Sequence, residues 1–174
     1  MESLQLMFLP MSLYVYGKRK TGKTAAVVDL FKSQCATGGV CFGAGVLLFS
    51  SISSTLVKDE YGELLTCVYP NKPKWVGSEM LIHSAFERDM WDVVVGFQEE
   101  RVASYGHSEQ SSLLIIFDEL AGIRENKLIR LFLTRAKDLN ISVVVVECVE
   151  DMRETDETRD FKLLFRHVIE CDEW

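Results

Sequence analysis

Eight consecutive residues restrict what this chain can fold into more than any other stretch: Gly17-Lys18-Arg19-Lys20-Thr21-Gly22-Lys23-Thr24. They fit the pattern G-x-x-x-x-G-K-[S/T] in full. A short β-favouring run, Leu13-Tyr14-Val15-Tyr16, leads into them. Behind them, Thr24 to Ser33 carries Ala26, Val27, Leu30 and Phe31 at helical spacing. A strand, a glycine-rich loop and a helix in that order form a phosphate-binding loop. Glycines let the backbone curl until successive N–H groups face one anion, and the helix adds its positive end. Gly17, Lys20, Thr21 and Gly22 are expected to shape and line this loop. Lys23 is expected to reach the β- and γ-phosphates, and Thr24 to bind magnesium through its hydroxyl. The expected ligands are therefore ATP and Mg2+.

The rest of the chain supplies the frame such a loop needs. Val46 to Phe49, Leu113 to Phe117 and Ile141 to Val146 are continuous apolar runs of strand length. Helical patterns are expected over Ser78 to about Ser104, closed by Gly106, and over Ile123 to Leu139 with Leu128, Leu131, Phe132 and Leu133 inward. Leu64 to Tyr69 reads as a further strand. Asp151 to Asp160, with seven charges in ten residues, reads as a loop or short exposed helix. Phe161 to Phe165 and His167 to Glu170 read as a last strand or hairpin. Unbroken apolar strands alternating with helices predict an α/β fold: a mostly parallel central sheet flanked by helices, three layers deep. At 174 residues, without linker or repeat, residues 1–174 are expected to form a single domain.

Composition narrows the setting. A net charge of −7 argues against coating nucleic acid with the whole surface. No apolar run reaches the length of a membrane span. The start, Met1 to Met11, is apolar but carries Glu2 and no basic leader, so it reads poorly as a signal peptide. Five cysteines form no C-x-x-C pair and are expected to be reduced thiols of an intracellular protein.

Asp118-Glu119 ends the apolar run from Leu113. Asp118 suits a role in holding the metal, and Glu119 suits activation of the attacking water. The competing reading is two carboxylates that cap the next helix. The 94 residues from Thr24 to Asp118 leave room for one or two intervening strands, the layout of additional-strand ATPases. A guanine-reading N-K-x-D stretch is absent; Lys137-Asp138 is the nearest approach. Arg124, Lys127, Arg130, Arg135 and Lys137 form a basic concentration in an acidic chain. It is either a solvated helix face or a source of DNA contacts and of an arginine that completes a neighbouring subunit's site, with Arg135 preferred. Glu147, or Cys148 beside it, ends the strand from Ile141 and is a candidate for sensing the γ-phosphate, or an ordinary strand terminus.

Taken together, these stretches resemble viral genome-packaging ATPases of the FtsK–HerA superfamily, the kind found in poxviruses and other large DNA viruses. The phosphate loop is similar to that family's G-K-R-x-x-G-K-[S/T] form, and Leu113 to Glu119 to its strand ending in two acids. Leu131 through Val146 resembles its segment with an arginine, a spacer and Asn-Ile-Ser opening the sensor strand. This chain departs from the family at Ala136, where a histidine is usual, and at Glu147 or Cys148, where a glutamine is usual. The resemblance implies a RecA-like, additional-strand P-loop NTPase fold. It also implies an ATP-driven motor that pulls double-stranded DNA into a preformed capsid. The implied partners are a ring of like subunits, often six, and proteins of the capsid vertex. The implied location is the virion or the cytoplasmic viral factory. Two other classes share the loop: a nucleoside or nucleotide kinase, and a nucleotide-binding assembly factor that switches without turnover. A kinase needs an arginine-rich lid, and in the one candidate, Arg153 to Arg166, acids outnumber arginines.

Overall fold

The computed structural model describes residues 10–36, 42–51, 60–62, 64, 81–83 and 86–171. Among the described residues, six strands form one sheet: β1 (Ser12–Gly17), β2 (Gly45–Ser50), β3 (Leu81–His83), β4 (Leu113–Asp118), β5 (Ile141–Cys148) and β6 (His167–Cys171). They lie in the order β3-β2-β4-β5-β1-β6, and every pairing is parallel. Among the described residues, α1 (Lys23–Ala36), α2 (Arg88–Tyr105), α3 (Lys127–Arg135) and α4 (Asp156–Lys162) accompany them, and residues 60–62 and 64 are helical as well.

Burial on both faces explains the unbroken apolar runs. All six residues of β4 are buried, as are the first six of β5. Alternation along the strands divides the core in two. Leu13, Val15, Leu114, Ile116, Val144 and Val146 face α1 and the helical residues Tyr61 and Leu64. Tyr14, Phe117, Val143 and Val145 face the other way, against Trp91 of α2, Phe132 of α3 and Phe161 of α4. The result is the three-layer α/β architecture expected.

β5 lies between β1 and β4. The strand carrying the phosphate loop and the strand ending in Asp118 are thus separated by one additional strand, and in sequence by β2 and β3.

Several boundaries differ from the sequence reading. The helix expected from Ser78 begins only at Arg88, and Leu81–His83 is instead an edge strand paired with Leu47–Phe49. On α2, Phe97 is exposed, whereas Gln98 is buried and donates to the Ser111 and Leu139 carbonyls at 2.9 and 2.7 Å. The helix expected from Ile123 begins at Lys127, because the Asn126 side chain accepts from the Leu128 N–H at 3.0 Å and caps it there. Leu131 on this helix is exposed rather than inward. Phe161 belongs to α4, not to a strand. Thr155 caps that helix, Asp156 and Glu157 occupy its first turn, and Arg159 and Lys162 its last, all favoured by the helix dipole. β6 runs parallel to β1 and makes no hairpin. Of the strand expected over Leu64 to Tyr69, Leu64 is helical and the remainder lies outside the described residues. The signal-peptide reading of Met1 to Met11 falls mostly outside them as well. Among the described residues, no helix is long and apolar enough to cross a membrane.

Candidate phosphate and metal site

The loop leaves β1 at Gly17, which is pinned on both sides. Its register partners are Cys148 on β5 and Cys171 on β6. A Cβ at this position would lie 2.3 Å from the Cys171 carbonyl oxygen and 2.8 Å from Thr21 Oγ1, so only glycine fits. The backbone then turns through left-handed conformations at Lys20 (φ 65°) and Gly22 (φ 75°). Two internal bonds hold the curl: Thr21 Oγ1 donates to the Lys18 carbonyl at 2.9 Å, and Lys23 Nζ donates to the same carbonyl at 2.6 Å. No acid occupies the first turn of α1. The positive end of that helix is therefore uncompensated by its own residues.

Asp118 reaches this loop from β4. Its Oδ2 accepts from Thr24 Oγ1 at 3.2 Å and from the Tyr61 hydroxyl at 2.6 Å. The residue is buried, and its Oδ1 has no hydrogen-bond partner among the described residues. Burial pushes the Asp118 carboxyl up to about 6; the Tyr61 bond works against this, and the Glu119 charge adds to it. Burial likewise raises the Tyr61 phenol well above its usual range, and the Asp118 charge reinforces the shift.

A cavity of about 650 Å³ opens over the loop. Arg19, Lys20, Lys23, Thr24, Asp29, Glu60 and Glu119 line it. Glu119 is held at φ 48°, a strained value for a non-glycine residue, with its N–H donating to the Val146 carbonyl at 2.9 Å. Strain of this kind concentrates where a side chain must be aimed. The site fits a divalent cation: the donors are hard oxygens, and one buried carboxylate oxygen is left unused. It suits Mg2+ held by Thr24 and Asp118 together with phosphate oxygens.

Gly17, Lys20, Thr21, Gly22, Lys23, Thr24, Asp118 and Glu119 are therefore brought together. Two other candidates are not. Glu147 shares a face with Val145, away from α1, and its carboxylate accepts from the Tyr14 hydroxyl and from Arg124 Nε at 2.9 Å. It points away from the cavity because strand residues alternate. Cys148, one residue on, lies beside Gly17 instead. Arg135 ends α3 near the start of β5, whereas the loop lies at the strands' opposite ends, roughly 25 Å away for eight residues. Its side chain pairs with Glu99 at 2.9 Å. The other arginines of the basic stretch are also engaged within the chain. Arg124 binds Glu147, Thr158 and Tyr14, and Arg130 donates to the Arg124 carbonyl and lies over Phe161. Arg19, Asp29 and Glu60 were missed as cavity residues, and Tyr61 as a partner of Asp118. The last two lie in a stretch without a motif, and only the need of a buried carboxylate for a donor pointed to a partner of this kind.

No family model matches the chain, and no curated protein does. Solved structures resemble it in fold. The cytoplasmic domain of EssC superposes with a TM-score of 0.58 at 8% identity, over 95% of this chain and 33% of that one. A KaiC-like protein from Pyrococcus horikoshii OT3 gives 0.54 at 13% identity, over 94% and 73%. The genome packaging NTPase of Sulfolobus turreted icosahedral virus 2, in complex with AMP, gives 0.51 at 9%, over 83% and 68%. The chain thus spans about a third of the EssC domain. At these identities the likeness is one of fold, and the fold is that of RecA-like P-loop NTPases.

Proposed function

We propose that this chain is a magnesium-dependent ATPase and that it works as one subunit of a ring that moves double-stranded DNA into a capsid. The observation that carries the hydrolytic reading is the 3.2 Å contact of the buried Asp118 with Thr24, which lines one cavity together with Lys23 and Glu119. A magnesium ion held by Thr24 and Asp118 would supply charge neutralisation at the phosphates. The chain's own groups do the rest. Loop N–H groups and the α1 N-terminus bind the phosphates. Lys23 exchanges the Lys18 carbonyl for phosphate oxygens. Glu119 accepts the proton of the attacking water as its oxygen bonds to the γ-phosphorus, the bond from that phosphorus to the β–γ bridging oxygen breaks, and ADP and inorganic phosphate leave.

Support for the motor reading is coarser. It rests on the resemblance of the motifs and on the likeness in fold to a viral genome packaging NTPase. In such a ring the neighbouring copy's Arg135 would leave Glu99 to meet the γ-phosphate, since within one chain it is far from the loop. Double-stranded DNA, further copies of the chain and capsid vertex proteins are the proposed partners, and the virion or viral factory the proposed location. The test is phosphate release with and without double-stranded DNA. Stimulation by DNA supports the motor. Turnover only with a nucleoside or nucleoside monophosphate identifies a kinase, and tight binding without release identifies a switch. Arg135→Ala is expected to lower turnover with nucleotide affinity nearly intact; a loss in binding alone removes Arg135 from this role.

A further inference from the structure

We infer that Tyr61 is a positioning residue for the metal site: its hydroxyl fixes the Asp118 carboxylate in the orientation that leaves one oxygen for a divalent cation. The inference rests on the proposed ATPase reading and concerns a residue that no motif marks.

Tyr61 is fully buried, its ring packed in the same core as Leu64, Leu48, Leu114 and Ile116. From there its hydroxyl donates to Asp118 Oδ2 at 2.6 Å, a bond linking positions 57 residues apart. Thr24 Oγ1 donates to that same oxygen at 3.2 Å. Asp118 Oδ2 therefore carries both donors, while the buried Oδ1 carries none. With a single weak donor from Thr24, the carboxylate would be free to swing about its terminal torsion, which is broad for aspartate. The second, shorter bond comes from a rigid ring locked in the core and removes that freedom. The free acceptor capacity of Asp118 is thereby concentrated on one atom. The Thr24 hydroxyl can give an oxygen lone pair to a cation and still donate to Asp118. At 3.2 Å its bond is the longer of the two, and the 2.6 Å Tyr61 bond is the one that holds the carboxylate in place. Hydrogen bonds of this outer kind orient metal-binding carboxylates, and their removal typically lowers metal affinity roughly 10- to 100-fold.

The test compares wild-type protein with Tyr61→Phe, which keeps the ring and deletes the hydroxyl. A fluorescent, non-hydrolysable ATP analogue is titrated in EDTA and then across a range of magnesium concentrations. The expected result is an unchanged affinity in EDTA and a magnesium midpoint raised about tenfold. The same titration in an Asp118→Asn background is expected to show no further effect of Tyr61→Phe, because the carboxylate that it orients is gone. That comparison decides the matter also if Tyr61→Phe alone is poorly folded, since a packing defect persists in both backgrounds. A magnesium midpoint within twofold of wild type overturns the inference, as does an equal loss in EDTA or an undiminished effect beside Asp118→Asn. Wild-type protein whose nucleotide affinity ignores magnesium would remove the ATPase reading itself, and this inference with it.

Discussion

The ends of β1 and β5 carry polar groups on both faces of the sheet, and the two faces treat them in opposite ways. On the face away from α1, Tyr14, Glu147, Arg124 and Thr158 close on one another, and Tyr16 is bonded to Glu170 and Lys162. Burial and the Glu147 carboxylate together raise the Tyr14 phenol further above its usual range, so it stays a donor. On the face toward α1, Asp118 keeps an unpaired oxygen, Glu119 and Lys20 hold strained backbones, and the loop carbonyl of Lys18 is the main partner of Lys23. One face is saturated and the other is left needing a ligand. The contrast teaches that charge near a strand end does not mark a site; unsatisfied charge does.

The comparison can be broken by substitution. The largest effect is expected from Glu119→Gln on the unsaturated face. Phosphate release should fall about 10²- to 10⁴-fold while ATP-analogue affinity is retained; unchanged release would remove Glu119 as the base. Next comes Gly17→Ala, where the added methyl meets the Cys171 carbonyl at 2.3 Å. The loop must shift, and nucleotide affinity should fall at least about tenfold, the worth of about 1.4 kcal/mol. Isothermal titration that finds wild-type affinity would show the cradle to be wrongly placed.

On the saturated face the sign of the result should reverse. Arg124→Ala leaves Glu147 with the Tyr14 hydroxyl alone, and should cost about 2 kcal/mol of stability. Thermal melts should drop by roughly 4–8 °C for a domain of this size, with nucleotide affinity unmoved. A change in affinity without a change in melting would mean that the two faces are coupled.

A last effect sharpens the contrast through pH. Burial raises the Asp118 carboxyl from 3.8 in the unfolded chain to about 6 in the folded one. Between those values the folded state binds the extra proton. Stability of the ligand-free protein therefore falls as pH rises through that window, by on the order of 3 kcal/mol at most. Denaturant midpoints between pH 4 and 7 should show this decline, and Asp118→Asn should flatten it. A wild-type profile that rises over the same range would contradict it.

Sequence made one half of this contrast visible and hid the other. Gly17, Gly22, Lys23 and Thr24 are legible because the loop is a local structure and its chemistry demands those residues at that spacing. Asp118 is legible as a candidate because it ends a fully apolar run, a signal that Glu147 shares. Glu147 misled because the period of two was not followed outward: Val146 faces α1, so the next residue cannot. Leu81–His83 was absorbed into a helix because its strand partner, Leu47–Phe49, is distant in sequence. Tyr61 and the inward turn of Phe161 depend on contacts that no local window contains.

β5, seated between β1 and β4, has a consequence for how any motion can occur. The two jaws of the site, the loop after β1 and the acids after β4, are held apart by two hydrogen-bonded ladders, a span of roughly 10 Å. That gauge cannot narrow by sliding strands, because each slip would break a row of bonds and turn inward residues outward. Closure around a triphosphate is left to the short segments beyond Gly17 and Asp118, hinged on a width that the sheet keeps constant.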